Sequence, residues 1–222
     1  MSQITLTLSQ SERVEEVLPS VYVFKVTAAN AICKVAQKFV DDYYDKSLVE
    51  DLSENDFFRL SKMYRGSNQG PVEPYIDIEK RVCYTARRLY NLPDGYDILS
   101  ELVIDSAREL QVILKEDLGI KYNFQRLQQQ ELLVYPDGYG FFDFHQDVRK
   151  GERTGTYLFY VNDNYTGGEL EFLNIKDSEG NRASYKPKKG EVLLMPTSWW
   201  TEHRSLANTD GDKIYILAQA CD

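Results

Sequence analysis

Apolar positions change their period partway along the chain. Between residues 28 and 43 they recur every three or four places, at Ile32, Ala36, Phe39, Val40 and Tyr43, which predicts a helix with one apolar face. Thr27 stands where a capping side chain belongs. The same period returns over about 97–118 in Leu99, Leu102, Val103, Ala107, Leu110, Ile113 and Leu114, and it stops before Gly119. That stripe reads as core packed against a sheet, with no cofactor role. Residues 77–89 read as a further helix, and 20–26, dense in valine and aromatics, as a strand. Residues 61–75 are broken by glycine and proline and show no period, so they read as a surface loop or as a lid over a site.

After Gly119 the pattern becomes one of short β-like runs between turn signals. Strands are expected near 125–134, 141–146, 156–161, 168–172, 183–186, 191–195, 202–207 and 214–220. Thr166-Gly167-Gly168 and Lys189-Gly190 supply tight turns, and Pro187 and Pro196 bracket a strand where neither need donate to its ladder. The fold class is α+β. One domain is expected over 1–222, in which 1–121 is mainly helical support and 122–222 is a β-core, a sandwich or barrel of antiparallel strands, that carries the chemistry.

Composition narrows the function classes. At 222 residues, 42% hydrophobic and 27% charged, the chain can bury a full core without disulfides. Cys33, Cys83 and Cys221 are odd in number and form no C-x-x-C pair, so neither a disulfide framework nor a zinc knuckle is expected. A net charge of -9 disfavours nucleic acid and anionic membranes as partners. No apolar run reaches membrane-spanning length and the first residues lack a secretory pattern, so an intracellular protein is expected.

Against this background two histidines stand out, because the chain has only two. His145 ends the run Tyr135-Pro-Asp-Gly-Tyr-Gly-Phe-Phe-Asp-Phe-His145 and is followed by Gln146-Asp147; the other is His203, after Trp199-Trp200-Thr201-Glu202. In extended chain, residues i and i+2 leave one face, so His145 and Asp147 can aim at one point. His203 would complete two imidazoles and a carboxylate on one side of an ion, the facial set that suits non-haem Fe(II) and leaves positions open. Zn(II) accepts the same ligands, which keeps a metal-dependent hydrolase as an alternative. Asp143 shares the strand parity of His145 and is a candidate partner for it. Lys213, ten positions beyond His203 across Asn208-Thr209-Asp210-Gly211, would face back toward it in a hairpin. Any one of these residues alone has a plainer explanation: a histidine bonded to backbone, or a solvated lysine opening a strand.

The spacing His145-x-Asp147, His203, Lys213 resembles the signature of the prolyl 4-hydroxylase-like branch of the 2-oxoglutarate- and Fe(II)-dependent dioxygenases. Tyr135-Pro136 ten residues before the first histidine, 158–163, Gly167-Gly168-Glu169-Leu170-x-Phe172 and Pro187-x-Lys189-Gly190-x-Val192-Leu193 agree with it. The resemblance covers roughly 130–220. It implies a double-stranded β-helix, a jelly roll, with the metal at its open end, and metal ligation by His145, Asp147 and His203 as the catalytic centre. It also implies Fe(II), 2-oxoglutarate as co-substrate and O2, with ascorbate as a possible reductant. Lys213 would bind the far carboxylate of 2-oxoglutarate, with Tyr135 and Tyr160 as further contacts that are otherwise explained as aromatic core.

The implied reaction couples decarboxylation of 2-oxoglutarate to hydroxylation of a substrate C–H bond. The substrate expected is a prolyl residue in a peptide or protein, or a free amino acid or other small molecule. The strand after Lys213 lacks the tryptophan often found there in that branch, which leaves the peptidyl-proline assignment open. A degenerate barrel acting as a non-catalytic binding or structural module is the other alternative. Trp199 and Trp200 are expected to pack the barrel rim.

Overall fold

The computed structural model describes residues 13–64, 74–147 and 153–222. Two sheets face one another in a double-stranded β-helix. The larger has eight strands among the described residues, all paired antiparallel, in the order Val14–Leu18, Val21–Lys25, Glu191–Pro196, Arg153–Tyr160, Lys213–Cys221, Arg126–Tyr135, Tyr84–Arg88 and Phe58–Leu60. The smaller has five among the described residues: Arg182–Tyr185, Leu170–Lys176, His203–Ser205, Phe141–His145 and Arg81–Val82.

The two-residue period of the central strands decides what each face does. On the long strands Leu132, Val134, Tyr157, Phe159, Ile214, Ile216 and Ala218 point outward into one buried cluster, shared with Leu99, Val103, Ala107, Leu110 and Ile113 of the helix Ile98–Leu118 and with Ile32, Ala36 and Phe39 of the helix Ala29–Tyr43. The alternate residues Leu133, Tyr135, Leu158, Tyr160 and Tyr215 point inward and meet Leu170, Phe172 and Ile175 of the smaller sheet. A one-residue slip in any central strand would exchange these two cores, so the register that buries the helices also aims the interior residues.

Several expectations needed correction. Residues 77–89 do not form a helix: they contain the strands Arg81–Val82 and Tyr84–Arg88 and a short 3-10 turn, Leu89–Asn91. The backbone there is drawn into extended form by pairing with Arg126–Tyr135 on one side and Phe58–Leu60 on the other, a tertiary pull that outweighs local period. The first half is therefore not only helical support, since it places strands in both sheets. Thr27 does not cap the first helix, whose N-cap is Ala28; the Thr27 amide and hydroxyl instead donate to the Glu109 carboxylate on the long helix. Gly119 ends that helix as expected, in left-handed backbone with φ 68°. The proposed lid over 61–75 falls largely outside the described residues; at its ends Met63–Tyr64 pairs with Pro74–Tyr75. No described helix is long and apolar enough to cross a membrane.

The turn 136–140 sets the far end of the barrel. The Asn208 side chain donates to the Tyr135 carbonyl at 2.7 Å, Asp137 accepts from the Gly211 amide at 3.0 Å, and Asp212 accepts from the Asp137 amide at 2.8 Å. These bonds staple the turn before Lys213 onto the end of the Tyr135 strand. A Cβ at Gly140 would lie 2.6 Å from the Tyr135 carbonyl carbon, backbone against backbone. Gly140→Ala is therefore expected to destabilise by about 1–3 kcal/mol. The check is the midpoint of urea unfolding, and an unchanged midpoint would show that the turn can open freely.

Candidate active site

His145 ends one strand of the smaller sheet and His203 begins its neighbour, and the two are paired directly across the ladder. Direct opposition brings their ring centroids to 4.4 Å. Asp147, two residues on, has a carboxylate oxygen 3.7 Å from His145 Nε2, and the ligand atoms of all three residues lie within 4.8 Å of one another. Such a set could hold one divalent ion.

Both imidazoles are oriented by the backbone. His145 Nδ1 donates to the Asp143 carbonyl and His203 Nδ1 to the Thr201 carbonyl, each at 2.9 Å. A carbonyl can only accept, so each proton sits on Nδ1 and each Nε2 lone pair is left for a metal. Asp143 is thus a partner of His145, but through its main chain; its carboxylate accepts from the Phe144 amide and is exposed. Burial, with the neighbouring His203 adding to it, lowers the His145 pKa to about 3, so the ring is neutral and ready to ligate at ordinary pH. Burial works to raise the Asp147 carboxyl, but His203, His145 and a 2.8 Å hydrogen bond from the Thr156 hydroxyl outweigh it and hold the group below its usual range.

Lys213 is fully buried, and it is not in a hairpin with His203: its strand belongs to the larger sheet and reaches across the barrel interior. Nζ donates to the Gly168 carbonyl at 2.8 Å and to the Ser205 hydroxyl, and it lies 4.5 Å from the centroid of the Tyr135 ring. Gly168 has φ 71°, and a Cβ there would come within 3.0 Å of the Asn208 side chain and 3.3 Å of Lys213 Cδ. The Gly167-Gly168 pair therefore lets the backbone close on the lysine. Burial lowers the Lys213 pKa to about 7. Its hydrogen-bond partners are neutral and the nearby Glu169 carboxylate does not outweigh burial, so an anion bound at the amine would restore its charge.

Tyr135 and Tyr160 both line the interior. Tyr135 accepts a hydrogen bond from the Tyr215 hydroxyl at 2.9 Å and is also bonded to the Cys83 thiol. The Tyr160 hydroxyl is buried with no partner. An orphaned hydroxyl facing the barrel interior fits a bound polar molecule better than a closed core. Ser205, Thr156 and Tyr215 were not picked out from sequence. Ser205 had a signal, since it lies two places after His203 on the same strand face; Thr156 had none, because its contact with Asp147 depends on how the sheets curl together. Trp199 and Trp200 stand on a short 3-10 turn beside His203 and are exposed rather than packed.

Residues 131–218 match the family model of the 2OG-Fe(II) oxygenase superfamily. Among solved structures the fold is similar to a prolyl hydroxylase from Trichoplax adhaerens in complex with a hypoxia inducible factor peptide fragment: TM-score 0.67 and 14% identity, over 91% of this chain and 84% of that one. It is similar also to a Pseudomonas putida prolyl-4-hydroxylase, with TM-score 0.57 and 12% identity over 91% and 92% of the two chains. A viral collagen prolyl hydroxylase from Paramecium Bursaria Chlorella virus-1, solved with 2OG, aligns with TM-score 0.51 and 15% identity over 93% and 99%. No curated protein matches the sequence.

The family match is confined to 131–218, the β-core that holds the three clustered residues, and the fold around it is that of the prolyl hydroxylase structures. The His145, Asp147 and His203 cluster is compatible with Fe(II), the metal in the description of the matched superfamily.

Proposed function

We propose that His145, Asp147 and His203 ligate Fe(II), that Lys213 binds the far carboxylate of 2-oxoglutarate, and that the enzyme hydroxylates a prolyl residue of a peptide or protein, or a free amino acid. The observation that carries the reading is the distance scale inside the barrel. Ser205, which bonds Lys213, lies two residues along the strand from His203, roughly 6–7 Å at the usual rise. A five-carbon diacid spans such a gap, with one end at the metal and the other at the amine.

When bound, Fe(II) and 2-oxoglutarate supply the oxidising chemistry through decarboxylation with O2. The chain's own residues do the rest. The two backbone carbonyls hold the imidazoles in one tautomer, and Thr156 fixes the rotation of the Asp147 carboxylate. Lys213 orients the diacid by charge, the partnerless Tyr160 hydroxyl is a further donor in the interior, and the buried Leu133, Leu158 and Phe172 keep that interior dry. Three protein ligands leave positions open for the co-substrate and oxygen.

The test is conversion of 2-oxoglutarate to succinate by the Fe(II)-loaded protein, with mass spectrometry for a product heavier by one oxygen atom across proline-containing peptides and free amino acids. Turnover without oxygen and with Zn(II) would point instead to a hydrolase.

The buried amine carries a pH prediction. In the folded apo-protein the Lys213 pKa is about 7, against an ordinary value of 10.5, so between those two values the unfolded chain holds the extra proton. The apo-protein therefore gains stability from this group as pH rises through that window. Binding of 2-oxoglutarate has the opposite slope, because the diacid needs the charged amine. Affinity measured anaerobically should fall above pH ~7 by up to about tenfold per unit. A pH-independent affinity through that range would remove Lys213 from the carboxylate.

A further inference from the structure

Behind the ring that stacks on His145 stands a cation the metal site does not use. Arg81 pairs with Phe142 across the edge of the smaller sheet, and its guanidinium carbon lies 4.3 Å from the Phe142 ring centroid. The other face of that ring is taken by His145, whose centroid is 3.6 Å away at an interplanar angle of 14°. Guanidinium, phenyl and imidazole are thus layered in that order, which puts Arg81 one ring away from the metal cluster. Arg81 Nε donates to the fully buried thiol of Cys83 at 3.1 Å. The side chain is only partly exposed, and among the described residues no carboxylate makes an ion pair with it. Glu131 lies close enough to feel its charge, but Glu131 is already bonded to Arg88 at 2.8 Å.

A guanidinium withdrawn from water without a paired anion is costly, and among the described residues no carboxylate is bonded to this one. The co-substrate of the proposed reaction does not need it either. One of its carboxylates would be met by Lys213 and the other by the metal, so Arg81 is a surplus positive charge in a protein whose net charge is -9.

We propose that Arg81 receives a carboxylate of the substrate, and that the enzyme accordingly selects an acid over its amide. Guanidinium is suited to this, because its planar fork pairs with a carboxylate through two parallel bonds, and the Phe142 ring fixes the plane of the fork. The carboxylate belongs either to a free amino acid or to the end or side chain of a peptide. This assignment rests on the oxygenase reading above and narrows its substrate class.

The experiment compares wild type with Arg81→Gln and Arg81→Lys. Anaerobic formation of the coloured Fe(II)–2-oxoglutarate complex is titrated first, and it reports co-substrate binding with no turnover. Substrate-stimulated succinate formation is then measured in two arms, with the protein amino acids against their α-amides, and with proline-containing peptides as free acids against their C-terminal amides and, for acidic side chains, their Asn or Gln counterparts. Wild type should prefer at least one acid by about ten- to a hundredfold in kcat/KM. The arm in which this occurs identifies the source. Arg81→Gln should abolish the preference while the 2-oxoglutarate titration stays unchanged, and Arg81→Lys should keep part of it. The proposal is overturned if wild type treats every acid and its amide alike, or if Arg81→Gln shifts the 2-oxoglutarate titration and leaves acid preference intact. Should Arg81→Gln fail to fold, Arg81→Lys and the wild-type comparison still decide. Failure of the oxygenase reading itself would show separately, as absence of the coloured complex in wild type.

Discussion

His145→Ala is expected to reduce Fe(II)-dependent succinate formation at least a hundredfold, to background. The proposed site has three protein ligands, and a methyl group offers no lone pair where Nε2 stood. Two ligands cannot hold a facial geometry, so loss of bound iron should accompany loss of activity. A graded comparison separates ligation from orientation. Thr156→Val removes the hydroxyl that donates to Asp147 at 2.8 Å but leaves the carboxylate in place. Its metal affinity should fall by roughly ten- to a hundredfold, and activity should return when iron is raised. Full activity of the alanine variant at low iron would refute ligation by His145.

Lys213→Met should produce two effects of opposite sign. The substitution keeps much of the buried stem and removes the charge, so the requirement for 2-oxoglutarate should rise by about 2–5 kcal/mol, or roughly thirty- to several-thousandfold. The apo-protein should at the same time be as stable as wild type or more so, because no ammonium has to be taken from water. The amine is bonded only to the Gly168 carbonyl and the Ser205 hydroxyl, neither of which carries charge to offset that cost. Thermal melts without ligand and anaerobic titration with 2-oxoglutarate read the two effects independently. A variant that melts lower and binds the diacid normally would mean that Lys213 is a packing residue.

Much of this arrangement was legible in the order of residues, and the illegible parts share a cause. The long helix was readable because its apolar stripe is a property of one segment, and its end at Gly119 because left-handed backbone favours glycine. The strands of the second half were readable within a few residues for the same reason. Residues 77–89 were misread because their extended form is imposed by two neighbouring strands, one from a distant part of the chain. The role of Asp143 was half visible: its place beside His145 followed from spacing, but use of its carbonyl depends on the ring's rotation. Arg81 carried no sequence signal at all, since nothing local says that a residue over sixty positions before His145 will stack behind the same phenyl ring.

By itself the sequence determined the inventory: two imidazoles in a histidine-poor chain, an aspartate at the spacing that shares a strand face, a lysine beyond a turn, and alternating runs able to build two sheets. Those are short-range facts, set by the 2.0 and 3.6 periods and by turn chemistry. Only the tertiary structure decided that His145 and His203 would be cross-strand partners, that Lys213 would reach from the opposite sheet to Ser205, and that Arg81 would lie over the Phe142 ring beside them. Pairing of distant strands is settled by which register buries both faces of the central sheet at once, a condition on the whole core that no single stretch of chain contains.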